Sequence, residues 1–228
     1  DISLFDSISA RRVIVANKKL YVQKTEGFIG LVLRDGEFVS KCSEIDNVIV
    51  FLSDGSYMIT QVSDKKFIGK NIIYVGVWKK NDKHMIYNLI YKDLSNNIAY
   101  VKRFSVTKIV KDRKYTISKK SSKILYFTAN PNSESEIVTI YLHHKAKAKN
   151  KIFNYNFSLI NIKGRQSKGN IVTKHNIRKI EQKSIGESTL GGRKLFIDEN
   201  IGKLNVEKRG IYLGLFNSED KIIVLYKD

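Results

Sequence analysis

Apolar residues in this chain come in short runs of about four to seven, rich in Val, Ile, Tyr and Phe, and that pattern restricts it to a β fold. The runs include Val13-Ile14-Val15, Val48-Ile49-Val50-Phe51, Ile72-Ile73-Tyr74-Val75, Ile86-Tyr87, Ile124-Leu125-Tyr126-Phe127 and Ile222-Ile223-Val224-Leu225. Turn formers separate them: Asn17-Lys18, Asp54-Gly55, Asn81-Asp82, Asn96-Asn97, Asn130-Pro131-Asn132 and Lys174-His175-Asn176. No helical stripe exceeds two turns. The chain holds one proline, Pro131, and no Gly/Ser-rich linker, so residues 1–228 read as one domain. Its first residue is Asp1 rather than Met, which we read as the start of a piece of a longer protein.

The runs recur. An apolar strand, a polar turn and a second strand start near Ile14, Ile49, Ile86, Ile124, Ile171 and Ile222, at gaps of 35, 37, 38, 47 and 51 residues. That spacing suits one four-stranded sheet per repeat, the unit of a propeller-like array, although alternating β-hairpins also build sandwiches. Residues 46–64 align with 220–228 at strand and turn, and the second copy stops at Asp228 before a return strand. The last blade is therefore expected to be incomplete, with an unpaired edge.

Charge narrows the partner. The net charge is +19, from 41 basic and 22 acidic residues, and nucleic acid is the usual partner of so basic a domain. Residues 1–110 hold 17 basic and 11 acidic side chains, whereas residues 111–228 hold 24 and 11. Between Glu136 and Glu181 there is no acid at all, yet ten Lys/Arg and three His lie there. An ordinary solvated face mixes its signs. This stretch does not, and its field would attract a phosphate backbone and weaken steeply with salt. No apolar run reaches the roughly 18 residues of a membrane-spanning helix. A lone cysteine, Cys42, forms no disulfide within the chain and fits a reducing cytoplasm.

Little in the sequence carries chemistry. Cys42 has no metal-binding neighbour, and His143 and His144, side by side on an expected strand, should face opposite ways at the surface. The segment Gly186–Lys194 has glycines at phosphate-loop spacing, but Arg193 breaks the signature, leaving a tight β turn with cationic flanks. No carboxylate pair is singled out as an acid–base couple; Glu44 with Asp46 is no better than any other.

Three stretches do carry a binding logic. In Lys163-Gly164-Arg165-Gln166-Ser167-Lys168-Gly169, the two glycines let a loop turn tightly and bring backbone amides to phosphate, while Arg165 and Lys168 add charge. Lys174, Arg178 and Lys179 follow directly, and Gly191-Gly192-Arg193-Lys194 forms the third stretch. Each stretch is either an ordinary basic turn or part of a phosphate-binding surface. The acid-free setting favours the second, and the residues expected to bind DNA are then Lys163, Arg165, Lys168, Lys174, Arg178, Lys179, Arg193 and Lys194, within residues 137–194. Lys102-Arg103 and Lys119-Lys120 either extend that track or are solvent charges. Tyr87, Tyr91, Tyr100, Tyr126 and Phe127 fall on strands where most belong to the core, so binding to a duplex backbone is favoured over stacking on unpaired bases.

At these residues the sequence resembles a known family. Segments RRVIVANKKLYVQKTEGFIG, WKKNDKHMIYNLIYKD, VKRFSVTKI, ILYFTANPNSESE, IKGRQSKGNIVTK and STLGGRKLF are similar to the C-terminal domain found in A subunits of the DNA topoisomerase IV and gyrase family, in its Bacteroidota-type branch. The resemblance runs from about residue 5 to 228 and implies an all-β fold, the β-pinwheel, in which propeller-like four-stranded blades exchange strands. It implies a domain that binds and bends double-stranded DNA. The family's catalytic tyrosine lies in the N-terminal region of these A subunits, and its arginine-tyrosine-threonine context is absent here. ATP and Mg2+ are used outside this domain, ATP by the partner B subunit, so no catalytic residue, cofactor or metal is expected in this chain. A cytoplasmic, nucleoid-associated enzyme follows from the same resemblance.

Gyrases of this family carry a box reading Gln-Arg-Arg-Gly-Gly-Lys-Gly. Against Lys163–Gly169, only Arg165, Lys168 and Gly169 match. So degenerate a box implies ATP-dependent decatenation and relaxation, as in topoisomerase IV, ahead of gyrase-type wrapping for negative supercoiling. A propeller-like module that binds an acidic protein is the alternative from another class.

Overall fold

The computed structural model describes residues 17–118, 121–188, 193–199, 201–205 and 210–216. They form strands and turns, with one 3-10 turn at Phe157–Leu159. In chain order the strands are β1 (Lys18–Gln23), β2 (Phe28–Gly30), β3 (Glu37–Cys42), β4 (Asn47–Leu52), β5 (Ser56–Gln61), β6 (Lys66–Phe67), β7 (Ile72–Trp78), β8 (Ile86–Asp93) and β9 (Ile98–Phe104). They continue as β10 (Tyr115–Thr116), β11 (Ser122–Asn130), β12 (Glu134–Leu142), β13 (Ile152–Asn156), β14 (Asn170–Thr173), β15 (Ile177–Ser188), β16 (Arg193–Asp198), β17 (Lys203–Asn205) and β18 (Ile211–Phe216).

Turn chemistry sets the hairpins. At the β4–β5 turn Gly55 takes φ +81, and the Asp54 carboxylate accepts the Ser56 backbone N–H at 2.8 Å. At β8–β9 Asn97 takes φ +58, while Asp93 and Asn96 cap the Ser95 and Ile98 amides. Asn and Gly tolerate this left-handed region where most side chains do not.

The sheets reveal strand exchange. The orders are β3-β1-β2-β6, β10-β5-β4-β7, β11-β8-β9-β14, β13-β12-β15 and β17-β16-β18. Each blade is built on a hairpin, with a following strand beside its first member. In the first three blades the fourth strand comes from the next unit: β6 follows β5 but pairs with β2, β10 follows β9 but pairs with β5, and β14 follows β13 but pairs with β9. This is the β-pinwheel arrangement. The fourth and fifth sheets show three strands each among the described residues.

The repeat starts need correction. Ile49 and Ile86 do lie in hairpin strands β4 and β8. Ile124 instead belongs to β11, the strand that completes the third blade, and Ile171 to the exchanged β14. Ile14, Ile222 and the incomplete copy at 220–228 lie outside the described residues.

Blades stack through their faces, so a hairpin strand is buried on both sides. In β4, Val48, Val50 and Leu52 join a core shared with the first blade, while Ile49 and Phe51 join one shared with the third. In β8, Tyr87, Leu89 and Tyr91 face the second blade and Ile90 faces the fourth. Phe51 is ringed by Tyr57, Tyr87 and Phe127 at centroid distances of 5.0, 4.9 and 4.8 Å. Such aromatic clusters add directional contacts to the burial of apolar area.

Lys102 and Arg103 are part of this interior, with exposures of 1% and 2%. They neither extend a surface track nor sit in solvent. Lys102 shares the β9 face of Tyr100 and Phe104, and its ammonium donates to the carbonyls of Ile117 (3.2 Å) and Arg165. Burial without a carboxylate partner pushes it down to about 8. Arg103 points the other way, donating to Asn88 Oδ1 at 2.9 Å and to the carbonyls of Phe157, Ile160, Ser133 and Glu134. Asn88 in turn donates to the buried Glu136 carboxylate at 2.8 Å, which also accepts from Thr128. This polar network ties the third blade to the fourth.

Candidate nucleic-acid interface

The loop 163–169 is the approach to the exchanged strand β14, and the third blade holds it in four places. Lys163 N–H donates to the Arg103 carbonyl at 3.0 Å, and Lys102 donates to the Arg165 carbonyl. The Tyr91 hydroxyl donates to the Lys168 carbonyl at 2.6 Å. Gly169, at φ +85, lies so close to β9 that a Cβ there would fall 2.1 Å from the Val101 oxygen. Gly169 thus takes the left-handed backbone expected of a glycine there, and what requires it is the packing against β9. Gly164 does not: its φ is ordinary, and a Cβ there would have nothing within 4 Å.

Two of the loop's cations rest on aromatic rings. The Arg165 guanidinium carbon lies 4.7 Å from the Tyr115 ring centre, and Tyr115 stacks on Tyr57 at 5.8 Å. Arg113 approaches the same Tyr115 ring at 5.6 Å. Lys168 Nζ stands 4.5 Å from the Tyr100 ring centre. A further case lies at the edge of the first blade, where Lys65 Nζ is 4.6 Å from the Phe28 ring centre. Phe28, Tyr57 and Tyr100 all sit on the hairpin strand that receives an exchanged strand, paired with Phe67, Tyr115 and Ile171. A cation over a ring face gains electrostatic energy and loses side-chain freedom, so its charge is held in one place.

The other expected residues are spread over several elements. Lys174 lies in the turn between β14 and β15, while Arg178 and Lys179 are exposed near the start of β15. Lys179 is ion-paired with Glu181 at 2.5 Å, so the acid that closes the acid-free stretch folds back onto it. Arg193 and Lys194 open β16 in the fifth sheet, their backbones opposite Phe216 and Leu215. Gly191, Gly192, Lys119 and Lys120 fall outside the described residues. Gly186 is not in a turn but inside β15, at φ +77 beside the Ser135 carbonyl.

His143 and His144 also differ from expectation. β12 ends at Leu142, so the two histidines open a turn and their rings lie 4.1 Å apart instead of on opposite faces. Among the described residues, no group of three or more His, Cys, Asp or Glu is placed to hold a metal ion. No helix among them is long and apolar enough to cross a membrane.

Of the ten Lys/Arg between Glu136 and Glu181, nine are exposed and Arg165 is half-buried. Lys179 is the one cation of that set found in an ion pair among the described residues. Tyr87, Tyr91 and Tyr100 are buried, while Tyr126 and Phe127 are partly so and pack against the core clusters. No binding motif marks the loop lysines Lys145, Lys147, Lys149 and Lys151, although every second residue from 145 to 151 is a lysine.

The family model for the topoisomerase C-terminal domain of Bacteroidota matches residues 19–184. The chain belongs to that family. A curated relative, the A subunit of DNA topoisomerase 4 from Borreliella burgdorferi, is 31% identical over 183 residues. That alignment takes in 80% of this chain and 28% of the relative, so the chain spans under a third of the protein it matches. Among solved structures, the crystal structure of the C-terminal domain of DNA topoisomerase IV superposes with a TM-score of 0.51. The match covers 78% of this chain and 64% of that one, at 9% identity, and it speaks for the fold alone. The residues that form the buried Lys102–Arg103 strand, the 163–169 loop and the first three blades all fall within the matched family span, apart from Lys18 at the start of β1.

Proposed function

We propose that this topoisomerase C-terminal domain binds and bends double-stranded DNA through its phosphate backbone, with little reading of base sequence. The observation that carries the reading is the exposure of nine of the ten cations between Glu136 and Glu181 with no acid interleaved. Lys and Arg placed this way neutralise phosphates and release counterions, which gives affinity without sequence preference. Bending a site of 20–30 base pairs costs about 1–6 kcal/mol, so several phosphate contacts must offset it.

In this reading the parent enzyme is of the topoisomerase IV type, acting in the cytoplasm on the nucleoid. ATP hydrolysis belongs to the B subunit, strand breakage to the N-terminal region of the parent chain, and this domain selects and shapes the DNA. Support comes from the family and from the 163–169 box, which keeps only Arg165, Lys168 and Gly169 of the gyrase pattern. The test is a gel-shift comparison of a linear duplex with a covalently closed minicircle of the same sequence. The minicircle should bind more tightly because its bending energy is already spent. Equal affinity for both forms contradicts bending, and displacement of DNA by an acidic protein at equal charge contradicts DNA as the partner.

A further inference from the structure

A second basic feature lies apart from the aromatic-held cations of the 163–169 loop. At the seam between the third and fourth blades is a cleft of about 560 Å³ lined by Lys92, Lys145, Lys147, Lys174, His143 and His175. The cations come from three separate parts of the chain: Lys92 from β8, Lys145 and Lys147 from the β12–β13 loop, and Lys174 from the β14–β15 turn. No carboxylate lines it among the described residues.

Asn176 holds the walls together. Its side-chain oxygen accepts from Lys92 Nζ at 2.8 Å, and its carbonyl accepts from the His143 N–H at 2.8 Å. The turn that carries Lys145, just before Lys147, is closed by Ala146 N–H donating to the His143 carbonyl at 2.9 Å. Lys145 N–H donates to His143 Nδ1 at 3.4 Å, which leaves Nε2 as the ring's remaining donor. These bonds fix the segments from which the cleft's donors project, and they hold Lys92 itself in place.

We propose that this cleft is a binding site for clustered phosphates, taking two or more at once. Four ammonium groups around one cavity repel one another, and a multiply charged anion is the ligand that relieves all of them together. The cavity is larger than a single inorganic anion needs and falls within the roughly 300–1,000 Å³ range of small-ligand sites. Consecutive phosphodiesters of a DNA strand and a free polyphosphate share this chemistry. Should the occupant be DNA, the site rests on the proposed DNA binding; as a free polyphosphate site it stands without it.

The experiment titrates sodium tripolyphosphate into the 228-residue chain at low salt, followed by calorimetry. One saturating site is expected, weakened at least about tenfold in Lys145→Glu/Lys174→Glu, a loss of about 1.4 kcal/mol. Lys70→Ala/Lys83→Ala, two exposed lysines outside both the cleft and the 163–169 loop, should leave it unchanged. Absence of saturable binding, or equal affinity in the charge-reversed variant, overturns the proposal. Adding a duplex then separates the sources: displacement assigns the cleft to DNA phosphates, and simultaneous binding assigns it to free polyphosphate. If no duplex binds while tripolyphosphate still does, the DNA-binding reading fails and the cleft remains.

Discussion

Arg165 sits over the ring of Tyr115, 4.7 Å from its centre, although Tyr115 belongs to the exchanged strand of the second blade and Arg165 to the loop that leads into the third. The contact places a cation across a blade seam and holds it there. Replacing Arg165 and Lys168 together with Ala should weaken duplex binding equally for unrelated sequences. The salt slope should flatten by about 0.9 for each phosphate contact removed. Fluorescence anisotropy across a salt series reads both quantities, and an unchanged slope would place these residues off the DNA path.

Gly169→Ala should act on the same loop through the backbone. Its φ of +85 and the 2.1 Å approach of a Cβ to the Val101 oxygen leave no room for a methyl group. The expected cost is about 1–3 kcal/mol of stability, with weaker DNA binding at temperatures where the domain is still folded. Gly164→Ala, where the space is open, should be near neutral in both thermal denaturation and anisotropy.

Arg103→Ala removes five described hydrogen bonds from the seam between the third and fourth blades and leaves the Glu136 carboxylate buried without its nearby positive charge. Loss of one member of a buried charged network costs about 3–5 kcal/mol. Urea denaturation should show the midpoint falling sharply. A shift below about 1 kcal/mol would mean the network adds little.

Lys102 gives a pH signature. Its folded-state value is pushed down to about 8 from an ordinary 10.5, because burial disfavours the charged form. Between those two values the unfolded chain binds more protons than the folded one, so stability should rise with pH. The slope can be no steeper than about 1.4 kcal/mol per pH unit. Below about pH 8 both states are protonated and this group contributes no slope. Denaturation of the native chain and of Lys102→Met at a series of pH values checks it: the native chain should gain on the variant only within that window.

Much of the fold was legible, and what was missed has a physical cause. The β4–β5 and β8–β9 hairpins announce themselves because Asp54-Gly55 and Asn96-Asn97 are strong turn signals between apolar strands. The exchanged strands do not, since β6 and β10 are two residues long and too short for any periodic pattern. Their partners lie in another repeat. That is why Ile124 and Ile171 read as new beginnings when they complete the third blade.

Burial on both faces hides further features from the sequence. A strand with one wet face alternates apolar and polar, so Lys102-Arg103 looks half-exposed in sequence. Here β9 is packed on both sides, and the two charges are satisfied by carbonyls from distant segments. The basic box was visible as a motif, but its attachment to Tyr91, Tyr115 and Tyr100 comes from contacts between segments that no spacing rule connects. The cleft around Lys92 and Lys174 was hidden for the same reason.

The most direct test is the salt dependence of duplex binding by the 228-residue chain, measured on several unrelated sequences. Exposed cations meeting a phosphate backbone predict a straight line of log affinity against log salt, steep, negative and common to all the duplexes. A shallow slope, or affinities that differ widely between sequences at one salt concentration, would contradict the account.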